Sequence, residues 1–184
     1  GDSTHTTAVN SSTITQSTSQ SSSKSSSRPS AQQTSQTQSS ATSTSRKKAL
    51  DKAKSYLRTM AFSHSGLVKQ LEYEGYSNAD ATYAADNCGA DWNAQALKKA
   101  KSYLDVMAFS YSGLKGQLEY DGFTSSQAAY GADNCGANWN NQAAKKAKSY
   151  LELMSFSRDE LINQLEYEGF TRAQAEYGAA QNGY

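Results

Sequence analysis

Residues 98–139 read KKAKSYLDVMAFSYSGLKGQLEYDGFTSSQAAYGADNCGANW, and this stretch is one copy of a unit that occurs three times. Tyr56, Tyr103 and Tyr150 stand 47 residues apart, each inside Ala-Lys-Ser-Tyr-Leu, with no insertion between copies. Gln70-Leu71-Glu72-Tyr73 recurs at Gln117 and at Gln164, and Asn87-Cys88-Gly89-Ala90 recurs at Asn134. A fixed period of this length marks tandem supersecondary units stacked along the chain. The units are expected at 46–92, 93–139 and 140–184, the third cut short and lacking the Trp92 and Trp139 of the first two.

Each copy reads as three helices, so the fold class is all-α. Leu50, Ala53, Leu57 and Met60 recur at spacings of three and four, which predicts one apolar face of a first helix. Leu97, Ala100, Leu104 and Met107 repeat it, as do Ala144, Ala147, Leu151 and Met154. Ser63, Ser110 and Ser157 then cap a short second helix, and Ser157 with Glu160 makes a capping box. Phe62, Phe109 and Phe156 precede the caps, where they can staple onto the following helix. Gly75, Gly122 and Gly169 stop the second helix, and Gly89, Gly136 and Gly183 stop the third. Ser77, Thr124 and Thr171 cap the third helix, with Asp80, Gln127 and Gln174 three residues on. Its inner face holds only Ala, Gly and Cys, which lets two helix axes approach closely. The two tryptophans are expected to pack at the joints between copies.

The first 45 residues differ in kind. They are Ser, Thr and Gln with almost no apolar side chains, and cannot bury enough surface to offset an ordering cost of about 1–2 kcal/mol per residue. Residues 1–45 are therefore expected to be a disordered linker that holds the repeats away from a surface. Because the sequence opens at Gly1 rather than Met, an upstream segment is expected to have been removed.

Charge decides against nucleic acid. Residues 46–184 carry 16 Lys+Arg (18 less Lys24 and Arg28) and 16 Asp+Glu (17 less Asp2). The helix that would enter a major groove, Ser77 to Cys88 or Thr124 to Cys135, has no Lys or Arg to meet phosphate. The charges are nevertheless sorted. Lysines gather on the first helix of each copy. Acids gather at the end of the second helix and beyond: Glu72, Glu74 and Asp86, then Glu119, Asp121 and Asp133, then Glu166 and Glu168. Two readings stand side by side. Either these acids form a solvated face that pairs with lysines of neighbouring copies, or they form a repeated strip that steers a basic, elongated partner.

Catalytic, metal and cofactor roles find no support. Glu72 and Glu74 are two apart on a helix and do not face one another. His5 and His64 sit at no metal-ligand spacing, and His64 reads as surface filler, since Tyr111 and Arg158 replace it in the other copies. Cys88 and Cys135 are equivalent positions and read as small apolar residues, a disulfide being open only if the copies pack about a local twofold axis. The tyrosines read as rims of the core, or else as a row that stacks on sugars.

With these residues in view, the repeat resembles the host cell surface-exposed lipoprotein family of phage superinfection-exclusion proteins. The matching features are Ala-Lys-Ser-Tyr-Leu, the Phe-Ser cap, Gln-Leu-Glu-Tyr-Glu-Gly, the Ala-rich helix, and the joints Asp91-Trp92-Asn93 and Asn138-Trp139-Asn140. The resemblance implies helix-turn-helix repeats on a Ser-rich linker, lipid-anchored on the extracellular face of the bacterial membrane by a modified residue upstream of Gly1. It implies a monomer that blocks DNA injection by binding the tape measure protein of an incoming phage. The alternative is a cell-wall glycan-binding or adhesion module.

Overall fold

A computed structural model of the chain describes the backbone from residue 31 and the side chains from residue 39, both to Tyr184. The expectation of disorder for residues 1–30 falls outside the described residues. Among the described residues there are nine α-helices and no strand. The first copy holds α1 (Ala31–Thr59), α2 (His64–Tyr73) and α3 (Asn78–Asn87). The second holds α4 (Trp92–Val106), α5 (Tyr111–Tyr120) and α6 (Ser125–Asn134). The third holds α7 (Trp139–Leu153), α8 (Arg158–Tyr167) and α9 (Arg172–Gln181).

The helix boundaries follow from the caps. Ser63, Ser110 and Ser157 each take a backbone N–H from three residues on, and so do Ser77, Thr124 and Thr171. Such caps are worth about 1 kcal/mol each. The capping boxes at Ser157–Glu160, Thr124–Gln127 and Thr171–Gln174 are all closed. Asp80 departs from this pattern: its carboxylate leaves the cap and meets the Arg46 guanidinium at 3.4 Å, tying α3 to α1. Asp91 and Asn138 cap α4 and α7, so each Trp is the first helical residue of the following copy rather than the last of its own.

α1 starts at Ala31, not near residue 46, so the stretch 31–45 is helical rather than linker. Helix nucleation is costly but propagation is cheap, and neither Pro nor Gly stands between Pro29 and Gly66 to stop growth backward from the packed turns.

Each copy has its own core. The first and third helices pack against each other, and the second lies across the third. Leu67 and Leu71, Leu114 and Leu118, and Leu161 and Leu165 drop from the second helix onto fully buried alanines. The inner face of the first helix keeps Ala53, Ala100 and Ala147 as expected, but is otherwise turned toward the residue before Leu50. Ala49 with Ala53, Ala96 with Ala100, and Ala143 with Ala147 are fully buried, while Leu50, Leu57 and their equivalents are only half-buried. Met60, Met107 and Met154 stay 53%, 52% and 60% exposed. The reason is the third helix. Its Ala/Gly face brings the axes so close that only alanine fits between them. The methionines also lie past the helix, with Met107 and Met154 extended.

The copies meet along a narrow seam of polar contacts. Ser63 Oγ–H donates to the Asp121 carbonyl (2.6 Å), and Ser65 Oγ–H to that of Gly122 (3.1 Å). The Phe62 N–H donates to the buried Gln95 side chain (3.2 Å). The same three bonds recur one copy later, from Ser110 to Glu168, Ser112 to Gly169 and Phe109 to Gln142. Trp92 closes the joint from the side: it packs on the first copy's core and meets His64 edge-on at 5.3 Å. Trp139 does the same against Tyr111 at 5.6 Å. His64 is thus part of the joint, bonded to Asp86 at 2.7 Å, and not surface filler. Phe62, Phe109 and Phe156 lean edge-on against Tyr56, Tyr103 and Tyr150 of the preceding helix.

Candidate functional site

The last turn of the second helix places an aromatic ring between two carboxylates in every copy: Glu72-Tyr73-Glu74, Glu119-Tyr120-Asp121 and Glu166-Tyr167-Glu168. Acids at a helix C-terminus oppose the helix dipole, so each needs local compensation.

The second acid of each triplet is the C-cap and is tied inward. Glu74 meets Lys52 at 3.4 Å, and Glu168 meets Lys146 at 3.7 Å. The Tyr103 hydroxyl donates to Asp121, and that of Tyr150 to Glu168. Gln117 Nε2–H donates in turn to the Tyr103 oxygen (3.3 Å), and Gln164 Nε2–H to Tyr150 (3.2 Å). Lys52, Lys99 and Lys146 lie 5.4, 5.5 and 5.7 Å from the ring centres of Tyr56, Tyr103 and Tyr150. The result is one lysine–tyrosine–glutamine–carboxylate cluster per copy.

The first acid of each triplet faces outward and finds a different partner in each copy. Glu72 accepts from Asn78 (2.9 Å), Glu119 pairs with Lys115 (2.8 Å), and Glu166 pairs with Arg172 (3.5 Å). The Lys115 contact holds the Glu119 carboxyl below its ordinary range, so it is ionised at neutral pH. Asp86 and Asp133 stand apart from the triplets, at the joints, where they bond His64 and Tyr111. The hydrogen bond to Asp133, with burial behind it, pushes the Tyr111 phenol up.

Every ion pair among the described residues lies within a single copy. That corrects the reading in which lysines and acids pair between neighbouring copies. Lysines of the first helix fold back onto the turn of their own three-helix unit because the hairpin of second and third helices brings it there. Of the eight candidate acids, six cluster in the triplets and two belong to the joints.

Nine of the twelve tyrosines fall into three sets. Tyr56, Tyr103 and Tyr150 are half-buried rims as expected. Tyr83, Tyr130 and Tyr177 are more open, at 38%, 40% and 37% exposed. Tyr73, Tyr120 and Tyr167 are 88%, 88% and 85% exposed, so these are not rims at all. A ring that open gains nothing from folding by burial. Its signal in the sequence is the neighbouring acids, which place it on the outer side of a C-terminal turn. In the third copy Tyr167 borders a groove of about 420 Å³, together with Met154, Phe156, Glu160, Asn163 and Gln164.

Cys88 and Cys135 are free and partly buried, each S–H donating to the carbonyl three residues back (3.3 Å). Among the described residues no cluster of His, Cys, Asp and Glu could hold a metal, and no helix is long and apolar enough to cross a membrane.

The Tyr103–Asp121 bond carries a pH dependence. Burial, reinforced by this bond, pushes the Tyr103 phenol up from 10.0 to about 12. A raised pKa stabilises the fold fully below the unfolded value and loses that contribution as pH rises through the folded one. The second copy should therefore weaken between pH 10 and about 12. Thermal melts across that range should show the effect, and Tyr103→Phe should flatten it. An unchanged alkaline profile in the variant would refute the assignment.

The sequence profile of the host cell surface-exposed lipoprotein family matches three times, at residues 44–88, 91–135 and 138–181. No curated protein matches. Among solved structures, the chain is similar to Ltp, a superinfection exclusion protein from the Streptococcus thermophilus temperate phage TP-J34. Identity is 32% over 50% of this chain and 95% of that one, with a TM-score of 0.47. The three profile matches coincide with the three helical units and span well over half of the sequence; the chain belongs to the host cell surface-exposed lipoprotein family.

Proposed function

We propose that this chain is a non-catalytic, surface-displayed exclusion protein that captures the tape measure protein of an incoming phage and so stops DNA injection. A lipid anchor ahead of Gly1 would hold it at the outer face of the membrane. Family membership supports the surface setting, and the exclusion role is what the resemblance of the repeat implies. The observation that carries the binding mode is the exposed Tyr73, Tyr120 and Tyr167, each between two carboxylates. An open aromatic ring beside fixed negative charge suits a segment rich in Lys and Arg, through cation–π and ionic contact together. Three such sites on one chain add avidity toward a long partner.

The test is a titration of the full chain against a tape measure protein from a phage of the same host, at two salt concentrations. Binding should weaken with salt. It should fall about tenfold in a Glu72→Lys, Glu119→Lys, Glu166→Lys triple variant, which spares the inward C-cap acids. Binding indifferent to both would sink the acidic-turn mechanism, and no binding at all would sink the partner. The exposed rings also favour a second reading, stacking on wall glycans. Retention on purified cell wall that is lost in Tyr120→Ala would select it.

A further inference from the structure

The exclusion reading uses the acids and leaves most of the lysines unexplained. Among the described residues seven lysines and arginines form ion pairs: Arg46 with Asp80, Lys47 with Asp51, Lys52 with Glu74, Lys115 with Glu119, Lys146 with Glu168, Arg158 with Asp159, and Arg172 with Glu166 and Glu176. Of the others, Arg58, Lys98 and Lys101 stand together. All three are exposed, none takes part in an ion pair, and all three line one groove of about 290 Å³ between the end of α1 and the middle of α4. Its other walls are Leu57, Thr59, Met60, Ala61 and Ser102, and no carboxylate lines it. Asp105, one turn beyond Lys101 on α4, stays outside it.

The chain supplies its own control. The corresponding positions at the second joint are Leu104, Asp105, Val106, Met107, Ala108, Lys145, Lys148 and Ser149. There an aspartate stands where the first joint has Arg58, and the third copy has Glu152 at the same place. The fold therefore asks for no cation at this position and accepts an acid. Holding three like charges around a concavity without compensation costs energy that a bound anion recovers.

We propose that the groove at the first joint is a binding site for a phosphate-bearing anion. Arg58 offers a planar fork that matches two phosphate oxygens, and Lys98 and Lys101 add point charges from the facing helix; the Ser102 hydroxyl is already donated to the Lys98 carbonyl (3.0 Å). Met60 and Leu57 give an apolar flank for whatever carries the phosphate. Two sources share this chemistry, a free phosphate compound and a phosphodiester headgroup at an anionic membrane surface. The site uses neither the acidic turns nor their tyrosines, so it stands or falls separately from the capture of a tape measure protein.

The experiment uses the full chain and two probes. Inorganic phosphate is titrated while the Arg58 side-chain and Lys98 and Lys101 amide resonances are followed by NMR. Co-sedimentation is measured with phosphatidylglycerol vesicles and with phosphatidylcholine vesicles. Arg58→Asp copies a residue the protein already carries at Asp105, so it should fold normally, which circular dichroism checks. Expected is saturable binding of at least one probe, at least tenfold weaker in Arg58→Asp. Asp105→Arg should build a second such site at the second joint. Binding to phosphate alone identifies a soluble ligand, and binding to phosphatidylglycerol vesicles but not phosphate identifies a headgroup. No binding of either probe, or binding unchanged in Arg58→Asp, would overturn the proposal.

Discussion

Gly131→Val is expected to disrupt the second copy, at a cost of about 3 kcal/mol, while Gly131→Ala is expected to cost about 1 kcal/mol or less. Gly131 lies on α6 where it crosses α4. A Cβ there would sit 2.9 Å from the Ala96 carbonyl oxygen and 3.2 Å from Leu118 Cδ1. The nearest obstacle is backbone, which cannot rotate away, so any side chain forces the helices apart. For alanine the first copy shows that the shift is tolerable. Ala84 occupies the same position and is fully buried. Alanine also regains up to about 1 kcal/mol of helix propensity over glycine. Valine adds two methyl groups with no space beside them. Denaturant midpoints for the two variants check this, and a Gly131→Val protein as stable as Gly131→Ala would refute the close-contact account.

Gly122→Ala is expected to destabilise by about 2–4 kcal/mol, and Gly75→Ala by only about 1–2 kcal/mol. Both glycines end a second helix with positive φ, 99° and 101°, so both substitutions carry the strain of a left-handed backbone. Only Gly122 also faces a neighbour. A Cβ on Gly122 would overlap Ser65 Oγ and come within 2.8 Å of Ser63 Oγ, whereas nothing lies within 4 Å of one on Gly75. Those two serines make the bonds that join the first copy to the second. Gly122→Ala should therefore also loosen the joint, seen as faster amide exchange at Phe62 and in the α5–α6 turn. Equal losses in the two variants would mean that the seam contributes nothing. Gly169, which faces Ser110 and Ser112, should behave like Gly122.

Much of the fold was legible because its signals are local. A capping serine acts on the N–H three residues away, and a glycine stop acts on its own φ, so Ser63, Ser110, Ser157, Gly75, Gly122 and Gly169 all do what their positions suggest. The inner face of α1 holds Ala53, as its periodicity predicts, but takes Ala49 rather than Leu50. Periodicity ranks residues by hydrophobicity, and leucine and methionine outrank alanine. Here close approach of the axes selects for size, so Ala49 enters the core and Met60 does not. The bonds of Gln95 and Gln142 across the joints were missed. A signal was present: the first copy has Lys48 at this position, and only the second and third copies have a predecessor to bond. Of the site, the alternation of acid and tyrosine was visible in the sequence. The flanking acids mark Tyr73, Tyr120 and Tyr167 as open, whereas nothing beside Tyr56 or Tyr83 tells a half-buried ring from a more open one.

The sequence by itself determined the number of units, their period, the ends of most helices and the sorting of charge. Each depends on residues within a few positions of one another or on simple repetition. Only the tertiary structure decided which partner each charge takes. Glu74 goes to Lys52 of its own copy, Asp121 to Tyr103, and Arg58, Lys98 and Lys101 are left without one. That outcome depends on how the second and third helices fold back over the first, at distances of a few ångströms that spacing along the chain does not encode.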